Sequence, residues 1–428
     1  MSCAAQPPIG VPNATAQGRA IAARTNSTNY AIVYSFAGSP DGRDPRAGLI
    51  DVGGTLYGTT SEGGSYTTGY CGDRQYSGCG TVFSVTTGGT EKVLHSFRFK
   101  DDGSIPVAGL TDVGGTLYGT TSQGGKQPPN CGRTSDYYGC GTVFSITPAG
   151  VENVLHSFGG ANDGYLPTTS LTNLGGRLYG ATVYGGTSVC TRYSSFYSVS
   201  CGAVFSITTG GTETVLHYFG RGHHARWPRA GLIDAGGKLY GTTYGGGAYL
   251  KCHNGFGLFG CGTVYSITPG GKERVIYSFG NGADGREPAT GLIEVKGTFY
   301  GTTRGGGAYS NSCDTFYKDC GTVFSVTLSG TEKVLHSFGA KGDGNDPTAG
   351  LIAIKGVFYG TTSGGGAYGG GTVFSITPGG TENVLHSFGA TGDGTDPVAG
   401  LVEVNGTLYG TTRYGGKRGS GTVFALTP

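Results

Sequence analysis

The chain has 428 residues, of which 88 are Gly and only 13% are charged, with a formal net charge of +2. That balance lacks the basic footprint of a nucleic-acid partner, and no apolar run approaches the roughly 20 residues needed to span a bilayer as a helix. The Gly excess has no G-X-Y period, so it is not collagen-like; it sits in pairs between short apolar runs, where it supplies turns.

Residues 1–31 are rich in Ala, Asn and Thr with little apolar pattern, and are expected to form a flexible tail or tether. Within them Cys3 is a candidate lipidation site, the alternative being a free thiol, and membrane contact is expected only through such a lipid. The first apolar run is 32–36. From residue 47 a unit of four runs begins: strand A (47–52), strand B around Leu56-Tyr57, strand C (80–84) and strand D (93–97). Each run is short, rich in Val, Ile, Leu, Phe and Tyr, and bounded by Gly, Asp or Pro, which is the pattern of strands. Gly53-Gly54 joins A to B and Gly88-Gly89 joins C to D, so both pairs are expected to be tight antiparallel hairpins. No helical period separates the runs.

The strand-B tyrosine recurs at Tyr57, Tyr118, Tyr179, Tyr240, Tyr300, Tyr359 and Tyr409, spaced by 61, 61, 61, 60, 59 and 50 residues. Seven four-stranded antiparallel units at this period predict an all-β, seven-bladed β-propeller over residues 32–428. The main rival is a β-solenoid, whose rungs are usually shorter and whose ends need caps. The last unit ends on its third strand (422–426), while run 32–36 is a fourth strand with no unit of its own. Pairing these two closes a ring and removes two sheet edges.

Ten of the eleven cysteines form close pairs in B–C loops: Cys71/Cys79, Cys131/Cys140, Cys190/Cys201, Cys252/Cys261 and Cys313/Cys320. The variable gaps favour five local disulfides over zinc sites, which hold tighter spacing and need four ligands. Disulfides point to an exported chain, secreted or at the cell surface, with its export signal outside this sequence. The repeated LYGTT…GTVFSIT…GTExVLHSF unit, as at 408–412, 371–377 and 330–338, resembles the bacterial GloVer tandem repeat. That resemblance implies export and often surface anchoring, and it carries no catalytic motif.

In such a blade the two tight turns share one face, while the B–C loops and the D–A loops share the other. The loop face therefore carries the candidates for function. Its aromatics are Tyr70, Tyr76, Tyr137, Tyr138, Tyr193, Tyr197, Phe256, Phe259 and Tyr317, mixed with Ser, Gly and Asn as in antibody paratopes; packing on their own disulfides is the plainer alternative. The fourth D–A loop departs from the repeat, with His223, His224, Arg226, Trp227 and Arg229 where the others read Asp-Gly-x-x-Pro. Trp227 is a candidate sugar-stacking platform and Arg226 and Arg229 candidate ligands for an acidic group. The last two units have short B–C loops, which leaves a low sector on the face.

Histidines 95, 156, 217, 336 and 386 share one repeat position and are expected to be structural, bonded to backbone. The acid pairs Asp41/Asp44, Asp343/Asp346 and Asp393/Asp396 are expected to shape turns, with calcium as the alternative; no other cofactor and no metal site is expected. The favoured function is a secreted or surface binding module, lectin- or adhesin-like, with a glycan or protein partner. A self-assembling structural subunit and a carbohydrate-active enzyme are the alternatives, and no unique acid pair supports catalysis.

Overall fold

The computed structural model describes residues 29–428 apart from 73–76, 127–138, 160–162, 187–188, 195–196, 221–224, 250–251, 255–256, 259, 310–312 and 314–319; for 69, 189–194, 197–199, 253–254 and 257–258 it describes the backbone alone. Seven sheets of the order A-B-C-D form the propeller. Blade 1 comprises Ile50–Val52, Thr55–Thr60, Thr81–Thr86 and Glu91–Ser96. Blades 2 to 6 repeat this plan, and there is no α-helix among the described residues.

Blade 7 takes A, B and C from Val402–Val404, Thr407–Thr412 and Thr422–Thr427. Its outer strand is Asn29–Ser35, antiparallel to Thr422–Thr427 from Asn29↔Thr427 to Ser35↔Thr422. The ring is closed by the N-terminal strand, as the unpaired ends of the repeat array imply. That strand starts at Asn29, three residues before the expected boundary at 32.

The strand-A glycines show why the ring is tight. A β-carbon built on Gly48 would lie 3.2 Å from the Gly400 carbonyl oxygen, and one on Gly350 would lie 3.3 Å from that of Gly291. Similar approaches link Gly48 to Gly109, Gly109 to Ser170 and Ser170 to Gly231, so the inner strands meet backbone to backbone around the axis. Between blades, the first Thr of Tyr-Gly-Thr-Thr reaches into the next D–A loop: Thr59 donates to Ala108 O at 3.2 Å, Thr302 to Ala349 O at 3.1 Å and Thr361 to Ala399 O at 3.1 Å. The second Thr bonds the first Thr of strand C, as in Thr60–Thr81 at 2.7 Å. These threonines are structural.

The core lies between neighbouring sheets. Each strand-C aromatic packs edge-on against the strand-D phenylalanine of the preceding blade, as in Phe97–Phe144 at 5.2 Å and Phe338–Phe374 at 5.1 Å. Blade 4 breaks the pattern with Tyr265, which is 0% exposed and whose hydroxyl meets no hydrogen-bond partner. Burial pushes its phenol well above the usual range, so the group stays neutral. An orphaned buried hydroxyl costs about 1–3 kcal/mol. Tyr265→Phe is therefore expected to raise stability by about 1 kcal/mol, measured as a higher urea midpoint at unchanged m-value; a lower midpoint would show that the hydroxyl has an unrecognised partner.

Candidate site at the axial funnel of the loop face

Short two-residue ladders prove that the two loop classes share a face. The D–A loop pairs with the start of the B–C loop, Gly42↔Gly63 in blade 1, Gly285↔Gly306 in blade 5 and Gly394↔Gly415 in blade 7. The D–A loop then turns toward the axis at a residue preceding proline. Those seven residues are Asp44, Ile105, Leu166, Trp227, Glu287, Asp346 and Asp396, all with φ between 53° and 61°. A non-Gly side chain in the left-handed region costs about 1–3 kcal/mol and persists only where the surroundings hold it.

What holds it is the B–C loop. In five blades the N–H of the pre-proline residue donates to the carbonyl of the second cysteine: Ile105 to Cys79 at 2.9 Å, Leu166 to Cys140 at 3.0 Å, Trp227 to Cys201 at 2.9 Å, Glu287 to Cys261 at 2.8 Å and Asp346 to Cys320 at 3.1 Å. Cys71–Cys79, Cys252–Cys261 and Cys313–Cys320 are disulfides. Cys140 and Cys201 are also disulfide-bonded, while Cys131 and the Cys190 side chain lie outside the description. Each disulfide thus anchors one wall segment of the funnel.

The funnel has two unlike halves. Blades 2 to 4 contribute Ile105, Leu166 and Trp227, with Val183, Tyr184 and Tyr244 beside them. Blades 5 to 7 and 1 contribute Glu287, Asp346, Asp396 and Asp44. Arg413 bridges Asp44 and Asp396, both at 2.8 Å; Arg46 binds Asp44 at 2.6 Å; Arg304 binds Asp346 at 2.8 Å; and Tyr244 donates to Glu287 at 2.7 Å. Burial pushes the Asp44 carboxyl up, but its bonds to Arg46 and Arg413 outweigh this and hold it below the usual range. Asp396 goes the other way, because its burial outweighs Arg413. A cavity of about 620 Å³ opens between the halves, lined by Arg46, Val107, Leu166, Thr168, Tyr184 and Arg229 among others. A second cleft of about 440 Å³ runs over the low sector, between Arg286, Arg304, Asp346 and Ser363.

The sequence candidates fall in several places. Trp227 is 6% exposed, packs with Val183 and Tyr244, and its Nε1 donates to Ser200 O at 3.0 Å. Its ring fills the funnel wall, so it offers little face for stacking. Arg226 is also buried. Arg229 is exposed and its guanidinium sits 4.4 Å over the Tyr244 ring. Tyr70 is 45% exposed and stacks on Phe99. His223, His224, Tyr76, Tyr137, Tyr138, Phe256, Phe259, Tyr317 and Cys3 lie outside the described residues, as do the side chains of Tyr193 and Tyr197.

The acid pairs separate. Asp41 takes the Tyr34 hydroxyl at 2.9 Å near the outer strand, whereas Asp44 serves the funnel. Four of the five repeated histidines bond carboxylates, not the expected backbone: His95 to Asp102 at 3.0 Å, and His156 to Asp163, His336 to Asp343 and His386 to Asp393 at 2.9 Å. Sequence reasoning missed Arg46, Arg304 and Arg413. Their signal was variation at fixed repeat positions, just after the proline and just after Tyr-Gly-Thr-Thr.

Among solved structures, the chain is similar to streptogramin B lyase, with 11% identity over 93% of this chain and 97% of that one at a TM-score of 0.55. It is also similar to virginiamycin B lyase from Staphylococcus aureus, with 11% identity, coverage of 94% and 99%, and a TM-score of 0.53. At such identity the likeness concerns the fold alone. No curated protein matches the sequence. The model of the Gloeobacter/Verrucomicrobia repeat matches residues 12–193, 191–318 and 312–428 in tandem, and the chain belongs to that family.

Proposed function

We propose that the chain is a secreted or cell-surface binding module that holds an acidic saccharide in its axial funnel. The observation that carries this is the division of one strained, disulfide-anchored ring into an apolar half and an arginine–carboxylate half. An amphipathic ligand matches such a cavity: a sugar lays its C–H face on Leu166 and Tyr184, and its carboxylate meets Arg229 and Arg46, which line the same cavity. Arg229 is suited to this role, because its described contact is a cation–π stack that leaves its N–H fork for a planar anion. The disulfides fit an oxidising compartment. No helix among the described residues is long and apolar enough to cross a membrane.

The test is a glycan array followed by calorimetry on the best acidic hit. Arg229→Ala is expected to weaken binding roughly 10–100-fold, the usual size for a charge-assisted bond of about 1.5–3 kcal/mol. Tyr368→Ala is expected to leave it unchanged, since that 64% exposed side chain stands on the loop rim. A folded protein that ignores every acidic glycan, or one that depends on Tyr368 and not on Arg229, removes the funnel as the site.

A further inference from the structure

Blades 1 to 6 place a glutamate at the start of strand D, and in three of them it faces a His–Asp pair of the preceding blade. Glu152 approaches His95 and Asp102, Glu213 approaches His156 and Asp163, and Glu382 approaches His336 and Asp343. In each trio one imidazole nitrogen and two carboxylate oxygens lie within 4.8 Å of one another. Two carboxylates thus converge in a half-buried seam. The Oε1 atoms of Glu152, Glu213 and Glu382 are buried and meet no hydrogen-bond donor in the protein. The aspartates are held in place by backbone N–H groups, from Arg98 at 2.7 Å, Gly164 at 2.9 Å and Gly344 at 2.6 Å.

Other seams carry a phenol in place of one member, and there too the Oε1 atoms of Glu91 and Glu332 are buried without a donor. Tyr34 and Tyr277 replace the histidine and donate their hydroxyls to Asp41 and Asp284 at 2.9 and 2.6 Å. Opposite His386, Tyr30 replaces the glutamate, donates to Asp393 and stacks on the imidazole at 3.8 Å. Where a phenol stands in the seam, its O–H joins the aspartate; where His, Asp and Glu all remain, two carboxyl groups face one imidazole.

We propose that the His95–Asp102–Glu152, His156–Asp163–Glu213 and His336–Asp343–Glu382 seams each bind a divalent transition-metal cation, Zn²⁺ first among them, as a staple between adjacent blades. One imidazole and two carboxylates suit zinc with a water as fourth ligand. Calcium would need six to eight oxygens. Ligands about 2.0–2.2 Å from one ion stand roughly 3–3.5 Å apart, which the His–Asp edges at 2.9–3.0 Å already approach. A coordinating Nε2 binds the ion through its lone pair, so the neutral ring then carries its single N–H on Nδ1. Burial raises the Glu152, Glu213 and Glu382 carboxyls to about 7 in the free seams.

The experiment uses the full chain, stripped with chelator and titrated with zinc chloride, with metal content measured after desalting. The Glu152→Gln/Glu213→Gln/Glu382→Gln variant is expected to bind three equivalents fewer than the parent, and each single variant one fewer. Zinc should raise the parent's melting temperature and leave the triple variant's unchanged. Each single variant keeps two of the three seams intact, so the count stands even if the triple variant does not fold. Parent protein that takes up no zinc at micromolar concentration, or variants that bind as much as the parent, would overturn the proposal.

Discussion

Deletion of residues 1–36 is expected to abolish cooperative thermal unfolding and leave an aggregating product. The deletion strips the outer strand from blade 7 and bares the edge of Thr422–Thr427, whose partners run from Asn29 to Ser35. It also removes Phe36, which is 0% exposed and packs edge-on against Phe83 of blade 1 at 5.0 Å. Losing one such ring costs about 3–5 kcal/mol, against total stabilities of about 5–15 kcal/mol. Tyr30 goes as well, with its stack on His386. An exposed edge is a template for intermolecular pairing. Calorimetry and light scattering check the result. A permuted chain that carries 29–36 after residue 428 through a short linker should regain the transition. If the deletion melts like the parent, the ring is not held by its N-terminal strand.

Gly119→Val is expected to cost about 3 kcal/mol or more, at the upper end for an overpacked core. A β-carbon there would lie 2.5 Å from Phe144 Cζ and 2.9 Å from Leu110 Cδ2, and both neighbours are buried. Neither can yield, because Phe144 is wedged against Phe97 of the neighbouring blade. The same contact recurs at Gly180 with Phe205 and at Gly410 with Phe424. This is why Tyr-Gly-Thr-Thr keeps its glycine at negative φ, where no turn requires one. Urea denaturation of Gly119→Val beside Gly114→Val, where nothing lies within 4 Å, separates the cost of the clash from that of the left-handed turn at Gly114, whose φ is 62°. Equal losses would place the effect in the backbone and not in the packing.

Period and edge chemistry make the fold legible in the sequence. Gly-Gly turns permit only hairpins between A and B and between C and D, and a spare fourth strand at one end with a missing one at the other has a single satisfying pairing. Cysteine spacing likewise pointed to local disulfides, and alternation of loop lengths picked out the elaborated face. Position within a repeat told which residues belong to the scaffold, such as the buried threonines.

Partnership was not legible, because it depends on contacts between different blades. His95 meets Glu152 only across a seam, and Asp44 meets Arg413 only because residues 369 apart in the chain become neighbours when the circle closes. The two acids of an Asp-Gly-x-x-Pro loop look like one cation site on paper, yet the loop sends them to opposite ends, one outward to the seam and one inward to the axis. Trp227 stood out by rarity, but its surroundings turned it into wall. Local pattern therefore decided the blades, their number and their order, since turns and strand periods are short-range properties. Which side chains share a cavity, which charges are paired and which carboxylates are left facing one another were decided by closure in space, because those energies arise only between segments that the chain keeps far apart.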